Sequence, residues 1–186
     1  MDFRLDISFE SAAGQGSSAE FAWIRFVGNF LSSLSAGEEE MIVQAAAGRK
    51  VVFDFGGLGR MNSVGLRGLV RLSKSLASMT ELTYTRCVPQ ILEQFSMLPD
   101  FLRYGKVSSV LLSESCPSGH VQLDGSLNSL RELLLGTEIR LGDTGPIIAP
   151  TFCRTCGNQL ERDDVDEILF GFLKAIPQQS ASEQAS

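Results

Sequence analysis

The chain has 186 residues, of which 44% are hydrophobic and 20% charged, and its formal net charge is −6. It is long enough to bury a core without disulfide support, as one domain or as one domain with a small satellite. Its acidity argues against broad nucleic-acid binding, which needs a basic footprint. Met1-Asp2-Phe3-Arg4-Leu5-Asp6 has no basic segment leading into an apolar one, so no secretion signal is expected. No apolar run approaches the ~20 residues that span a bilayer, so direct membrane insertion is not expected and the expected location is cytoplasmic.

Phe3, Leu5, Ile7 and Phe9 alternate with polar residues, the period of a half-buried strand over Phe3 to Glu10. Ser11 to Ser18 is rich in Gly, Ser and Ala and reads as a loop. Phe21 to Val27, with Trp23 at its middle, reads as a second strand that could pair with the first as an antiparallel hairpin. Ser35-Ala36-Gly37-Glu38 fits a capping box, and the helix behind it runs through Met41, Ile42 and Ala45 to end near Gly48. Val51 to Phe55 is apolar on both faces, as in a central strand.

Next comes Gly56-Gly57-Leu58-Gly59-Arg60-Met61, which reads as a glycine-rich turn. Asn62 or Ser63 caps the following helix, whose Leu66, Leu69, Val70, Leu72, Leu76 and Ala77 make one broad apolar face. At 100° per residue, Val64, Arg67, Arg71 and Lys74 lie opposite the leucines. One apolar residue thus stands at the helix start beside a basic strip.

Leu82 to Cys87 reads as a strand, Pro89 opens a short helix with Ile91, Leu92 and Phe95 inward, and Val107 to Leu112 reads as the last strand. The order β-β-α-β-α-β-α-β implies an α/β fold whose later strands are parallel, joined by right-handed crossovers. Ser113 to Gly119 has the composition of a linker. Further on, Asp164 with Glu167 fits the start of a helix with Val165, Ile168, Leu169, Phe172 and Leu173 on one face. The tail over 177–186 is rich in Gln, Ser and Ala and reads as disordered.

Val51-Val52-Phe53-Asp54-Phe55, the glycine stretch and Asn62-Ser63-Val64-Gly65-Leu66 together resemble a STAS domain, the fold of bacterial anti-sigma-factor antagonists and of sulfate-transporter cytoplasmic tails. The resemblance covers about residues 3 to 112 and implies a STAS-like mixed sheet with helices packed on it, over residues 1–113. In the family the last piece is typically Asp-Ser-Ser-Gly-Leu, and a partner kinase phosphorylates the second serine. Here Asn62 stands for the aspartate, Ser63 for the first serine and Val64 for the phosphorylated one. Valine has no hydroxyl, so the usual phospho-switch is expected to be absent. Ser63 is a poor substitute if it is the cap, because a backbone N–H then occupies its hydroxyl. What the resemblance implies is a docking module using Asn62, Ser63, Val64, Arg67 and Arg71. The partner would be a kinase-like anti-sigma factor, another STAS protein or a membrane-complex subunit, and homodimerisation stays open.

The four cysteines are Cys87, Cys116, Cys153 and Cys156. Cys153-Arg154-Thr155-Cys156-Gly157 has the form of a zinc knuckle: two thiolates from one tight turn suit a tetrahedral ion. Cys116-Pro117-Ser118-Gly119-His120 resembles a degenerate second knuckle, with Gly119 where a thiol would be expected. Cys116, His120, Cys153 and Cys156 would then form a structural zinc site in a zinc-ribbon-like module over 114–176 that ends in a helix. The rival is a relic ribbon without metal, in which Leu130 to Ile139 packs instead. Some STAS-like proteins carry a C-terminal zinc ribbon, and Asn62-Ser63-Val64-Gly65-Leu66-Arg67 resembles their Asn-Ser-x-Gly-x-Arg turn.

Three functions compete. The first is a non-catalytic regulatory or scaffold protein that docks through Asn62 to Lys74. The second is a small-ligand module that holds a nucleotide or anion at the same helix N-terminus, although the glycines do not fit the phosphate-binding P-loop pattern. The third, an enzyme, is not expected: there is no nucleophile–base–orienter set, and Asp54 has no evident carboxylate partner.

Overall fold

The computed structural model of the protein describes residues 3–11, 20–111, 114–119, 138–142, 145–146 and 152–162. Among the described residues the fold is α/β, built on a mixed five-stranded sheet with three α-helices. Strand β1 (Arg4–Glu10) pairs antiparallel with β2 (Phe21–Phe30). From β2 the chain alternates: α1 (Ala36–Ala46), β3 (Lys50–Met61), α2 (Ser63–Ala77), β4 (Leu82–Thr85), α3 (Pro89–Met97), a 3-10 turn (Pro99–Arg103) and β5 (Lys106–Val107). Strands β2 to β5 are parallel, and the sheet order is β1-β2-β3-β4-β5.

Strand alternation decides which face is buried. Ile24 and Phe26 of β2, Val51, Phe53 and Phe55 of β3, and Leu82 and Tyr84 of β4 lie in one cluster. The same cluster holds Ile42 and Ala46 of α1, Leu69, Leu72 and Leu76 of α2, and Ile91, Leu92 and Phe95 of α3. Its aromatic rings form a chain across the sheet. Phe26 meets Phe53 edge-on at 5.1 Å, Tyr84 stacks on Phe101 at 5.0 Å, and Phe101 stacks on Phe95 at 4.6 Å. Such pairs add to the stabilisation from burial alone. The Ser35 capping box forms as read: Glu38 N–H donates to Ser35 Oγ and Ser35 N–H to Glu38 Oε2.

Several boundaries differ from the sequence reading. The glycine stretch after Phe55 is not a turn, because β3 continues through it to Met61 and stays paired with β2 as far as Phe30. The register shifts twice along the way, between Arg25 and Val27 and between Gly28 and Phe30. Glycines tolerate such irregular pairing and close backbone approach. At Gly57 a Cβ would stand 3.1 Å from the Phe26 carbonyl oxygen. The strand expected to reach Cys87 ends at Thr85, where Arg86 takes a left-handed conformation with φ 47°. The strand expected over Val107 to Leu112 is two pieces: β5 completes the main sheet, and β6 (Ser109–Leu111) pairs antiparallel with β8 (Glu138–Gly142). On α2, Ala77 is exposed rather than part of the apolar face.

Strand β7 (Glu114–Ser115) pairs with β10 (Glu161–Arg162), and β9 (Gly145–Pro146) pairs with β8. The C-terminal helix, the tail and most of the apolar segment from Leu130 to Ile139 lie outside the described residues.

Gly65 lies in the first turn of α2, where the helix meets the end of β2. A Cβ there would fall well inside contact distance of the Phe30 carbonyl oxygen and 3.2 Å from the Phe30 ring. Gly37, in the first turn of α1, has open space instead: a Cβ there would meet nothing within 4 Å. Gly65→Ala is therefore expected to lose about 1–3 kcal/mol of stability. Gly37→Ala should hold or gain up to about 1 kcal/mol. Urea denaturation of the two variants checks the contrast.

Candidate functional site

Three constellations of polar or reactive groups stand out. The first is the junction of β2, β3 and α2. Asn62 is the cap: its Oδ1 accepts from the N–H groups of Val64 and Gly65, both at 3.0 Å. Its Nδ2 donates to the Leu31 carbonyl at 2.8 Å, so one side chain ties the helix start to the end of β2. Ser63 is then the first helical residue and not the cap. It is exposed, and its hydroxyl makes no hydrogen bond among the described residues. The sequence reading that a cap would occupy that hydroxyl is corrected on this point.

Val64 is 38% exposed and Leu31, held beside Asn62, is 49% exposed. Arg67, Arg71 and Lys74 are all exposed, on the side of α2 away from its buried leucines. Arg71 is engaged, however, because its Nη2 pairs with Glu39 of α1. The basic strip is therefore not uniform: α1 neutralises its middle. Sequence spacing brought out Val64 and the arginines but missed Leu31 and Glu39, which reach the junction only through tertiary structure.

A second constellation lies on the sheet face opposite the helices. Register places Asp6, Arg25, Asp54 and Thr85 in one row across four strands. Asp54 is buried, 1% exposed. Its Oδ1 accepts from Arg86 Nε and from the Gly56 N–H, each at 2.9 Å. Its Oδ2 accepts from Arg25 Nε at 2.9 Å and from Arg86 Nη2. Arg86 thus grips the carboxylate with a two-pronged fork, the strong geometry for this pair. The fork fits because Gly56 has no side chain: a Cβ there would lie 2.7 Å from the guanidinium carbon. Ser109 Oγ, itself 2.7 Å from Thr85 Oγ1, accepts the Arg86 N–H at 2.8 Å. Burial raises the cost of the Asp54 charge. The bonds from Arg86, the Gly56 N–H and Arg25 outweigh that cost and hold the carboxyl below its usual range. Nothing local in the sequence links Asp54 to Arg86.

The third constellation is the thiol cluster. The Sγ atoms of Cys116, Cys153 and Cys156 all lie within 4.8 Å of one another, close enough to bind a metal ion. Cys116 Sγ and Cys156 Sγ are 3.6 Å apart. A tetrahedral zinc with bonds of about 2.3 Å sets its sulfurs about 3.8 Å apart, so the spacing fits that ion. Two backbone turns aim the thiols. Gly119 N–H donates to the Cys116 carbonyl and Gly157 N–H to the Cys153 carbonyl, each at 2.8 Å, and both glycines have positive φ. The β7–β10 pairing brings the two turns together. Burial pushes the Cys153 thiol up, but the N–H groups of Cys156 and Thr155 and the neighbouring thiols pull it down to about 6. A thiol so placed is readily a thiolate, the form that ligates metal. His120 lies outside the described residues. Cys87 is fully buried and sits apart in the main core.

No protein-family model matches the chain, and no curated protein matches it in sequence. No helix among the described residues is long and apolar enough to cross a membrane.

The Asp54 grip carries a stability prediction. Asp54→Asn leaves two arginines around a neutral group and should cost about 2–3 kcal/mol at neutral pH. The folded-state pKa of Asp54 lies below the unfolded value of about 4, so its stabilisation is present above pH ~4. That stabilisation is lost as pH falls through the folded-state value. The gap between wild type and variant should therefore close in acid, read by urea denaturation across pH.

Proposed function

We propose that the chain is a non-catalytic regulatory or scaffold protein whose STAS-like domain docks a protein partner through the Asn62–Lys74 segment. One observation carries this reading: Val64 and Leu31 are both exposed and both bonded by Asn62 at the start of α2, with Arg67 and Lys74 along the flank. An apolar tip with a basic flank suits a partner whose surface is apolar at the centre and acidic at the rim. The partner would be a kinase-like anti-sigma factor, another STAS protein or a membrane-complex subunit. Val64 stands where the family's phosphorylated serine would be, so docking in this reading is constitutive.

The second reading, a nucleotide or anion at the same helix start, has less support. The Asn62 carboxamide already takes two of the N–H groups that an anion would use, and Gly56 and Gly57 face Arg86 and Phe26 of the chain itself. The cysteines fit a structural role for zinc in a zinc-ribbon-like module, with Cys116, Cys153 and Cys156 as ligands and His120 as the fourth. Zinc there would fix the turns around it rather than take part in a reaction.

With the partner identified by affinity purification from the native cell, Val64→Asp and Arg67→Glu should each weaken the purified complex at least about tenfold, a loss of about 1.4 kcal/mol. Unchanged affinity in both variants would sink the docking reading. Separately, protein prepared without chelator should carry close to one zinc per chain by elemental analysis, and Cys153→Ser should carry little. Less than ~0.2 zinc per wild-type chain would reject the metal.

A further inference from the structure

We propose that the outer edge of β1 pairs with β1 of a second copy of this chain, joining two five-stranded sheets about a two-fold axis centred on Ile7. Strand β1 is the edge of the sheet, and no described strand pairs with its outer side. It runs seven residues, Arg4-Leu5-Asp6-Ile7-Ser8-Phe9-Glu10, with no proline, glycine or lysine to blunt it. An edge of this length, free of proline, can take another strand if its charges are matched. Five of its seven residues are exposed, and Phe9 is 53% exposed with the Arg49 guanidinium over its ring, at 5.0 Å.

Charge and the length of strand used select the register: centred on Leu5, the pairing also sets Arg4 against Asp6 twice, but it leaves Ser8, Phe9 and Glu10 without partners. A two-fold axis normal to the sheet keeps the helices of both copies on the same side. It also requires paired residues to point to the same face, so the axis must pass through a residue. Centred on Asp6, the pairing sets Asp6 against its own copy. Centred on Ser8, it sets Asp6 against Glu10 twice. Centred on Ile7, it sets Arg4 against Glu10 twice, Leu5 against Phe9 twice and Asp6 against Ser8 twice, and it uses all seven residues. Opposite charges placed across strands stabilise, and like charges destabilise. Arg4, whose side chain is 60% exposed, reaches its neighbour Asp6 among the described residues, at a long 3.4 Å. The pairing gives it a better-placed partner and covers Phe9 with Leu5 of the other copy. One strand pair buries less area than a standard interface, so the dimer is weak and concentration-dependent.

Sedimentation velocity from low to high micromolar chain tests the pairing. Wild type should shift from monomer to dimer, and added salt should weaken the dimer. Arg4→Glu and Glu10→Arg should each raise the dissociation constant about tenfold, since each sets like charges opposite one another at two places. The double variant, which exchanges the two charges, should restore the wild-type constant. Circular dichroism establishes that each variant is folded, and both positions are exposed enough to tolerate the change. A chain that stays monomeric throughout overturns the proposal. So does a dimer insensitive to both single variants, or a double variant that fails to recover.

Discussion

The architecture turns on one close approach, the first turn of α2 lying directly against the end of β2. Gly65 permits it by having no side chain, and Asn62 fixes it by bonding in two directions, to the helix N–H groups and to the Leu31 carbonyl. Because β3 runs without a break from the core to Met61, the helix start is held by a strand that is itself paired on both sides over its first half. The exposed residues at this junction are therefore presented by a rigid frame. A surface so fixed loses little conformational freedom when a partner binds, and that saving favours recognition.

The opposite face of the sheet is organised by a different force. There a buried carboxylate draws in guanidinium groups from the strand before it and from the residue just past the strand after it. Buried ion pairs are poor sources of net stability, because desolvation offsets most of the attraction. They are better at penalising misregister. A one-residue slip of β2 or β4 against β3 would take away one of the two arginines that balance the buried Asp54, which costs more than a lost apolar contact. Hydrophobic packing on one face and charge pairing on the other thus reject the same errors by independent means.

How legible this was depended on how local each cause is. The Ser35–Glu38 box and the leucine spacing of α2 depend on residues within a turn or two, and both were readable. The alternation of strands and helices likewise gave the α/β class and the helix order. The glycine stretch misled because glycine clusters usually mark turns, whereas here pairing with β2 overrides local preference. The Asp54–Arg86 and Arg71–Glu39 pairs each join residues 32 positions apart, and no periodicity announces them. The thiol cluster was legible in its membership: Cys116 was read together with Cys153 and Cys156, and the β7–β10 pairing brings the three sulfurs together, while His120 lies outside the described residues.

The space above Gly56 has a consequence for how this chain can vary through evolution. The Arg86 guanidinium occupies the volume that any side chain at position 56 would need, and it does so from a backbone conformation few residues adopt without strain. Positions 54, 56 and 86 are therefore bound into one unit of inheritance. A side chain at 56 would push the end of the arginine aside and loosen its fork on Asp54, which weakens the reason to keep an acid at 54. Changes at these three sites should therefore tend to travel together.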